Sequence, residues 1–499
     1  MNDTLLDIKT LGELKKSGYR VLPVKEEMRR NLLRKLAAGE TVFPGIIGYD
    51  KTVIPQLYNA ILSRHDFILL GLRGQAKSRI LRMLPALLDA YIPIIRDSEI
   101  NDNPFAPISK QGREMVAERG DETEIEWVSR EQRYGEKLAT PDVTIADLIG
   151  DIDPIKAAAH RLHYAHEGVI HFGIIPRMNR GIFAINELPD LQPRIQVGLF
   201  NLMQEKDIQI RGFPVRIPVD VLMVYSANPE DYTNRGSIIT PLKDRIGSQI
   251  LTHYPADIAS AVAITAQEAW VNRGDGVTAR VVPFMREIVE QTAVEARTSE
   301  YVDQKSGVSA RMTISFLENI VSNAERRAFA TGAKEAVARI CDMFAALSAV
   351  TGKIELVYEG EQEGVTNVAQ GLLGKAIRTV FLSFFPDPFK AAKKEQNPYQ
   401  QVLAYFKNEK TVEISDDLPD EAYRTRLQAV PGLEELVDTH MPEAYSTAEE
   451  KAVCMELVLE GLHQNSMLSK DELDNSRVYG DIIKRMFDDL DDDDINRYA

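Results

Sequence analysis

The sequence predicts an α/β fold in which helices cover a parallel sheet, followed by helical regions. Three observations lead to this prediction. Between about residues 46 and 255, short β-rich runs alternate with helical stretches. One of these runs, Asp66–Leu70, leads into a glycine-containing turn and then a helix-like segment. After residue 255 the strand signal weakens, and the chain becomes rich in alanine and helical in pattern.

Four regions are expected along the 499 residues, which are enough for two or three domains with cores of their own. They are a helical lead-in at 1–45, the α/β core at 46–255, a helical lid at 256–350, and a mainly helical C-terminal extension at 351–499. The extension ends in an acidic cluster, Asp488–Asp494, which is expected to be a solvated tail.

The core should contain five apolar strands, and two further segments follow less regular patterns. Residues 96–145 are polar and are expected to form an irregular surface excursion. Lys353–Tyr358 alternates like an isolated strand, and residues 401–499 look helical. The five expected core strands are Asp66–Leu70, Tyr91–Ile95, Gly181–Ile185, Asp220–Tyr225 and Ser248–His253.

Composition and charge indicate which kinds of binding partner and which cellular compartment to expect. The formal net charge is −16, so the overall field opposes nucleic-acid binding, and no nucleic-acid partner is expected. Cys341 and Cys454 have no metal-ligand spacing and fit buried thiols in a reducing compartment, with a redox pair as the alternative. No apolar leader or stretch of 18 apolar residues is present, so a cytoplasmic protein without a membrane segment is expected.

The segment after the first predicted strand has the layout of a phosphate-binding P-loop. Lys77 could reach the β- and γ-phosphates, and the Ser78 hydroxyl could bind Mg²⁺. Ala76 stands where the usual pattern has its last glycine, and a left-handed backbone there would be mildly strained. The alternative is an ordinary turn that happens to contain glycine and lysine.

Backbone N–H groups of the turn and of the helix start would face the phosphates. The candidate nucleotide-binding residues of this segment are Gly71, Arg73, Gly74, Gln75, Ala76, Lys77, Ser78 and Arg79.

A second apolar strand, Gly181–Ile185, ends in Asn186 and Glu187, as a Walker B segment does. Asn186 takes the place of the usual aspartate and could still bind magnesium-bound water, although it carries no charge. Glu187 is the candidate base that orients and deprotonates the attacking water. An ordinary buried strand with polar residues at its exit is the alternative.

Three further residues complete a catalytic set for ATP hydrolysis. Asn228 follows an apolar strand and could bond both the γ-phosphate and the attacking water, or only cap a turn before Pro229. Arg245 could act as an arginine finger supplied to a neighbouring subunit. Arg311, at the start of a helical stretch, could close onto the phosphates. For either arginine a surface ion pair is the alternative.

Taken together, these segments resemble the AAA+ ATPases, and specifically the branch of the magnesium chelatase I subunit and the MoxR-type ATPases. The resemblance covers about residues 20–350. It rests on Phe43–Asp50 (before the P-loop), Gly150–Asp153 with Gly168 and Pro176–Gly181 (the chelatase insert), Ser226–Glu230 (sensor 1), Pro241–Gly247 (the arginine-finger segment) and Ser309–Arg311 (sensor 2).

The resemblance implies a P-loop AAA+ core that binds ATP and Mg²⁺, with Ile47 and Gly48 near the adenine and Ser78 and Asn186 at the metal. It also implies a ring, usually of six subunits, in which Arg245 completes the site of the next protomer. Inserted elements at about 151–178 and Ile208–Ile217 would carry force or contact a partner. The expected partner is a protein with a von Willebrand A domain.

The first hypothesis for function is a ring-forming ATPase that remodels a protein partner, with slow hydrolysis because of Asn186. A second is a magnesium chelatase subunit that drives Mg²⁺ insertion into a porphyrin. A third is a nucleotide-gated scaffold that barely hydrolyses ATP. The histidines at 160, 163, 166 and 171 match no standard zinc spacing and are expected to be solvated or to face a partner, with a metal site as the alternative.

Overall fold

The protein is represented by a computed structural model, which describes residues 5–160, 167–210, 213, 216–228, 237–274, 276–393, 397–408, 410–473 and 476–482. The chain divides into two compact units, Met1–Tyr254 and Pro255–Ala499. The first unit contains the lead-in and the α/β core, and the second contains the lid and the C-terminal extension. The acidic cluster at 488–494 and the histidines at 163 and 166 lie outside the described residues.

The N-terminal unit alternates strands and helices. Its strands are β1 (Phe67–Leu70), β2 (Tyr91–Ile95), β3 (Ile125–Ser129), β4 (Tyr134–Leu138), β5 (Gly150–Ile152), β6 (Ile170–Phe172), β7 (Gly181–Asn186), β8 (Asp207–Gln209), β9 (Arg216–Pro218), β10 (Val221–Ala227) and β11 (Ser248–Leu251). Its helices are α1 (Leu11–Lys16), α2 (Val24–Ala37), α3 (Val53–Leu62), α4 (Lys77–Met83), α5 (Lys110–Arg119), α6 (Ile145–Leu148), α7 (Pro154–His160), α8 (Ile174–Arg177), α9 (Pro193–Gly198), α10 (Phe200–Gln204) and α11 (Thr240–Arg245).

Five of these strands form one parallel sheet in the order β11-β1-β10-β7-β4. Strands β1, β7 and β10 are buried along their whole length, as apolar strands covered on both faces must be. Alternate residues enter two different cores: Phe67 and Leu69 pack with α2, α3 and α4, whereas Ile68 and Leu70 pack on the opposite face. The predicted α/β fold is therefore confirmed.

The expectation of an irregular excursion over residues 96–145 was wrong. This stretch contains α5, β3 and β4, and β4 is an edge strand of the central sheet, paired with β7. Its sequence, Tyr-Gly-Glu-Lys-Leu, has no apolar run because an edge strand has one neighbour only, and its side chains are at most half-buried.

Tyr91–Ile95 is a strand, as predicted, but it lies outside the central sheet. It pairs antiparallel with β3, so that Ile95 stands opposite Ile125. The N-terminal lead-in attaches here, because the Ile125 N–H donates to the Lys9 carbonyl and Trp127 Nε1 donates to the Ile8 carbonyl at 3.0 Å. The apolar pattern identifies a strand, but it carries no information about which strand is its neighbour.

Two antiparallel strand pairs outside the central sheet are inserted in the sequence, one between β4 and β7 and the other between β7 and β10. Strand β5 pairs with β6 inside the predicted insert, and β8 pairs with β9. The second pair bears out the hairpin pattern of Ile208–Ile217 in its strands, whereas residues 211, 212, 214 and 215 at its tip lie outside the described part of the chain.

The C-terminal unit is mainly helical. Its helices are α12 (Ile258–Glu268), α13 (Pro283–Thr298), α14 (Ala310–Thr331), α15 (Ile340–Ala345), α16 (Ser348–Thr351), α17 (Tyr358–Glu363), α18 (Val365–Phe384), α19 (Pro388–Ala391), α20 (Gln400–Lys407), α21 (Asp420–Gln428), α22 (Leu433–His440) and α23 (Ala448–Gln464). Its strands are β12 (Thr278–Arg280), β13 (Glu335–Val337), β14 (Val412–Ser415), β15 (Ser469–Leu473) and β16 (Ser476–Gly480). Among the described helices of either unit, none is both long and apolar enough to cross a membrane.

Two local expectations for this unit were wrong. Residues 353–358 contain only a single bridge, Val302 to Leu356, before α17 begins. Residues 401–499 are not purely helical, because β14, β16 and β15 form a three-stranded antiparallel sheet. The polar sequence of β15, Ser-Lys-Asp-Glu-Leu, gives no strand signal because antiparallel pairing of its backbone does not require apolar side chains.

The region predicted as a lid and the C-terminal extension share one hydrophobic core, which runs from Val277 to Tyr479. A buried ion pair joins them as well. Arg327 on α14 bonds both oxygens of Asp342, at 2.6 and 3.0 Å, and donates to the Asp416 carbonyl in the extension at 3.0 Å. Both charged side chains of the pair are almost fully buried. Removing one partner would leave an uncompensated buried charge.

We expect Arg327→Met to weaken the C-terminal unit by about 3–5 kcal/mol, because Asp342 would lose the cation that compensates its buried charge. Hydrogen exchange followed by mass spectrometry on peptides from α14 and α15 measures this as a lower opening free energy. The neighbouring Arg326→Met is the matched control, since the Arg326 side chain is 59% exposed, and its loss should cost about 1 kcal/mol or less. Equal effects of the two substitutions would contradict this account.

Candidate nucleotide site

The candidate site begins where β1 ends. Residues 71–76 form a loop and α4 starts at Lys77, which is the strand–loop–helix order that a P-loop requires. Gly74 and Ala76 both adopt left-handed backbone angles, with φ of 73° and 56°. Ala76 therefore carries the mild strain that the sequence predicts, because an L-residue in this region places its Cβ close to the backbone.

The start of the loop is packed too tightly for a side chain at Gly71. A Cβ there would lie 1.9 Å from Thr252 Oγ1 and 2.1 Å from Gln75 Oε1. These two atoms bond each other at 2.7 Å, and the Thr252 N–H donates to the Leu70 carbonyl at 2.7 Å. The end of β11 thus fixes the conformation of the loop through Thr252 and Gln75.

Lys77 lies inside the loop rather than on the surface. Its ammonium donates to the carbonyls of Gly71 and Leu72, the second at 2.9 Å, and its side chain is almost fully buried. Arg73, Gly74 and Arg79 are exposed around this centre. The loop therefore presents one buried cation, together with the N-terminus of α4, to an anion.

The segment that was predicted to lie near the adenine is attached to the loop by Tyr49. The Tyr49 hydroxyl lies 3.0 Å from the Gln75 carbonyl oxygen and 2.8 Å from the His253 carbonyl oxygen, and these two acceptors share its one proton. Burial raises the pKa of Tyr49 to about 12, so the hydroxyl stays protonated and able to donate. Ile47 and Gly48, half-buried just before Tyr49, are thereby held beside the P-loop.

Asn186 ends β7 and faces the start of α4. Its Oδ1 accepts a hydrogen bond from Ser226 Oγ at 2.9 Å and lies 3.5 Å from Ser78 Oγ. The hydroxyl and amide oxygens predicted for the metal thus lie side by side. Mg²⁺ prefers oxygen ligands and keeps several waters, so this pair of donors fits a magnesium ion bound mainly through water and phosphate.

Glu187 has a left-handed backbone, with φ of 53° and ψ of 51°. Its N–H donates to Ser226 Oγ at 3.4 Å, so Ser226 contacts both Asn186 and Glu187. A strained, non-glycine residue at the exit of a strand is typical of a functional site, where surrounding structure fixes the side chain in place.

Asn228 follows β10 and is buried. Because Ala227 pairs with Leu70, and the Gly71 N–H donates to the Ala227 carbonyl at 3.2 Å, Asn228 lies beside the start of the P-loop. The structure therefore brings the P-loop, Asn186, Glu187 and Asn228 together at the carboxyl edge of the sheet.

Arg245 lies at the opposite edge. It ends α11 just before β11, whose Ser248 pairs with Phe67 at the start of β1. Arg245 bonds Gln204 and the Pro241 carbonyl and lines a cavity of about 800 Å³, together with Asp66 and Asp220. Since β1 alone separates the two edges by about 13 Å, Arg245 is not brought together with the P-loop of its own chain.

Arg311 belongs to the C-terminal unit. It stands exposed in the first turn of α14, where its N–H donates to the capping Ser309 hydroxyl at 3.1 Å. Its role toward the nucleotide stays a prediction.

Of the four histidines, only His171 has a described side chain, exposed on β6. Among the residues that the structure describes, no three acidic, histidine or cysteine side chains are grouped as a metal site would need.

The sequence did not indicate the residues that support the site from other elements. Tyr49 lies inside the segment predicted to approach the adenine, and Thr252 inside a predicted strand, but neither was singled out. Glu136 and Arg82, which bond each other beside Asn186, fall outside every motif. The neighbourhood of Glu136 could have been found only by recognising β4 as a strand next to β7.

No protein-family model matches the chain, and no curated protein matches it. Solved structures do match. NtrX of Brucella abortus in complex with ATP shares 14% identity with a TM-score of 0.34, over 58% of this chain and 52% of its own. A Cytophaga hutchinsonii protein proposed to be an ATPase shares 16% with a TM-score of 0.29, over 72% and 97%. A complex of the BchI and BchD subunits of magnesium chelatase shares 18% with a TM-score of 0.34, over 64% and 98%.

This chain spans about half the length of the NtrX chains that it matches. At these TM-scores the matches carry no argument about its function. The fold rests instead on the parallel strand order, the loop between β1 and α4, and the polar residues that follow β7 and β10. These features define a parallel α/β fold with a strand–loop–helix unit of the P-loop type, as the sequence predicts.

The strain at Ala76 leads to a measurable prediction. Ala76→Gly should raise the free energy of unfolding of the N-terminal unit by about 0.5–1 kcal/mol, because glycine adopts φ of 56° without a Cβ clash. Gly74→Ala, at φ of 73°, should lower it by about 1 kcal/mol. Urea unfolding followed by Trp127 fluorescence in a Trp270→Phe background measures both. Effects of the same sign would show that backbone angle does not govern these positions.

Proposed function

We propose that this protein is a Mg²⁺-dependent AAA+ ATPase that assembles into a ring and uses ATP hydrolysis to remodel or activate a protein partner. The observation that supports it is the grouping of Lys77, Ser78, Asn186, Glu187 and Asn228 at one edge of one sheet. The two buried free cysteines fit a cytoplasmic protein.

Each residue has a separate task in this proposal. The loop N–H groups and Lys77 bind the phosphates, and Ser78 and Asn186 hold the metal and its waters. Bound Mg²⁺ neutralises charge on the β- and γ-phosphates. Glu187 orients the attacking water and accepts its proton, while Asn228 bonds the water and the γ-phosphate. Hydrolysis is expected to be slow, because Asn186 brings no negative charge to the metal.

The position of Arg245 supports the proposed ring assembly. A site that needs an arginine for transition-state charge is incomplete in one chain if that arginine lies at the far edge of the sheet. A neighbour related by rotation could supply its own Arg245, and such head-to-tail contacts close into rings. For Arg311 we propose the role that the resemblance implies, a sensor 2 arginine that closes onto nucleotide phosphates.

For the partner we propose a protein with a von Willebrand A domain, with the strand pairs β5–β6 and β8–β9 as contact elements.

A second candidate function is a nucleotide-gated scaffold, which the uncharged Asn186 favours. Phosphate release measured with and without a partner separates the two, because only a motor speeds up when it engages its partner. The chelatase hypothesis is tested by supplying chelatase partner subunits and protoporphyrin, then measuring metallation.

Glu187→Gln should lower ATP turnover by about 10²–10⁴-fold while ATP affinity stays within about twofold, because glutamine keeps the shape but cannot accept a proton. Phosphate release and isothermal titration with ATP measure the two quantities. Glu205→Gln, which changes an exposed carboxylate of the same unit, should alter neither. Unchanged turnover in Glu187→Gln would remove Glu187 as the base.

Arg245→Ala should lower turnover by about 10³-fold without loss of ATP binding, if Arg245 acts on the neighbouring site. Mixing it with Glu187→Gln tests the direction of this action. In a random one-to-one mixture about one junction in four joins an intact site to an intact Arg245. Turnover should therefore recover to about a quarter of the parent value. No recovery, with mixed rings verified by native mass spectrometry, would contradict action between subunits.

A further inference from the structure

A cavity of about 800 Å³ lies at the amino edge of the central sheet, where the parallel strands begin. Four of its lining residues directly precede strands: Asp66 precedes β1, Arg180 precedes β7, Asp220 precedes β10 and Gly247 precedes β11. The volume lies in the range of sites that enclose a small molecule. Because the candidate nucleotide site lies at the carboxyl edge of the same sheet, the cavity is separate from it.

The charged side chains of this cavity have a positive excess. Among the described lining residues cations outnumber carboxylates by five to three, with histidine taken as neutral, whereas the whole chain has a net charge of −16. Lys25 and Lys206 both bind the buried Asp66, at 2.7 and 3.1 Å from its two oxygens. Apolar side chains, among them Leu22 and Ile108, line the cavity beside these charges. The cavity therefore favours a ligand with an apolar body and a negative group.

Arg180 brings to the cavity a buried charge without an acidic partner. It is only 5% exposed, and in the described part of the chain no carboxylate forms an ion pair with it. The buried Glu27 is already bound by Arg133 through both oxygens, at 2.8 and 2.6 Å. Burial, and then the charge of Arg133, lower the pKa of Arg180 to about 10, so the guanidinium is still protonated at pH 7. An anion beside it would compensate this buried charge.

One edge of the Arg180 guanidinium is open to a ligand. Nη1 donates to the Pro93 carbonyl at 2.7 Å, whereas the buried Nε has no hydrogen-bond partner among the described residues. Nε and Nη2 form the edge that binds a carboxylate through two parallel hydrogen bonds. The orphaned Nε would gain its missing acceptor from such a group.

The backbone around Arg180 fixes its position. Its φ of 62° lies in the left-handed region, which a non-glycine residue adopts at some cost. The Arg180 N–H donates to the Asp220 carbonyl at 2.6 Å, and Arg133 donates to the Arg180 carbonyl through Nε at 2.8 Å and Nη2 at 2.6 Å. Strained residues that are held by their surroundings are typical of binding sites.

The carboxylates of the cavity limit the ligand to a single negative charge. Asp220 acts on Arg180 through space, because no ion pair or hydrogen bond joins these two described side chains. Its Oδ2 accepts from the Val24 N–H at 2.8 Å instead. Asp66 and Asp220 would both repel the second charge of a dianion such as a phosphate monoester.

We propose that this cavity is a second ligand site, which binds a small molecule with an apolar body and one carboxylate, and that Arg180 holds the carboxylate. The inference does not rest on the proposed function, because nothing in it requires ATP.

Two dyes that differ by one charge test this inference. 8-Anilinonaphthalene-1-sulfonate has an aromatic body and one sulfonate, which stands in for the carboxylate, and N-phenyl-1-naphthylamine has the same body without the sulfonate. Fluorescence titration of the full chain, with Mg²⁺ and excess ADP to occupy the nucleotide site, measures both dissociation constants. The sulfonate dye should bind one site per chain about 10-fold more tightly than the neutral dye, because it pairs with Arg180.

Three variants locate the dye. Arg180→Met should abolish the preference for the sulfonate dye, and Arg177→Met, the same change at an exposed arginine outside the cavity, should keep it. Ala106→Trp, at an exposed position of the lining, changes no charge and should weaken both dyes by about 10-fold, because the indole would fill part of the cavity. This variant keeps the test decisive if Arg180→Met does not fold.

Displacement of the sulfonate dye tests the class of ligand. Octanoate, a monocarboxylate with an apolar tail, should displace the dye at a lower concentration than octyl phosphate. Stronger displacement by octyl phosphate would overturn the assignment to a carboxylate. Loss of the dye site when ADP is added, or a dye preference that survives in Arg180→Met, would overturn the site itself. Failure of the parent protein to bind ADP or to hydrolyse ATP would count against the proposed function alone.

Discussion

The parallel pairing of β1 with β10 is the interaction on which the candidate site depends. It places Leu70 beside Ala227, so the P-loop and Asn228 leave the sheet at the same point. The next pairing, β10 with β7, adds Asn186 and Glu187 to the same edge. A slip of one residue between β10 and β7 would turn Ser226 away from Asn186, because side chains alternate between the two faces of a sheet. The buried apolar side chains of β1, β7 and β10 fix that register, so the polar site depends on the cores beneath it.

The parts of the fold and of the candidate site that the sequence predicts are those that depend on the residues of a single segment. Strands buried on both faces are continuous apolar runs, so β1, β7 and β10 could be recognised, and the polar residues at their ends followed from them. The strain at Ala76 was also local, since it depends on the backbone angle of one residue. Contacts between distant elements left no such signal. The hydrogen bond between the Tyr49 hydroxyl and the Gln75 carbonyl, and the packing of Thr252 against Gly71, join residues far apart in the sequence. They form only when the chain folds, so no single segment predicts them.

The missed strands have a common physical cause. Strand β4 lies at the edge of the sheet, and β15 pairs antiparallel in a small sheet, so neither needs an apolar run. A polar strand satisfies its backbone groups through its neighbour, whereas the sequence pattern reports only which side chains are buried. Missing β4 also concealed Glu136, because its position beside Asn186 follows entirely from the pairing of β4 with β7. One error in an edge strand therefore hid both an element of the fold and a side chain that neighbours Asn186.

The geometry of the N-terminal unit also explains why assembly and hydrolysis would be coupled. The residues that we propose to bind phosphate and to handle water stand at the carboxyl edge of the sheet, whereas Arg245 stands at the amino edge. The rigid strands of the sheet keep these two edges apart, so no side-chain rearrangement within the unit joins them. In the proposed mechanism, nucleotide binding would need only the first edge and would be open to a single chain. Charge compensation by Arg245 would need an edge from each of two chains. The sheet that positions the candidate site would then also make full activity a property of the proposed assembly.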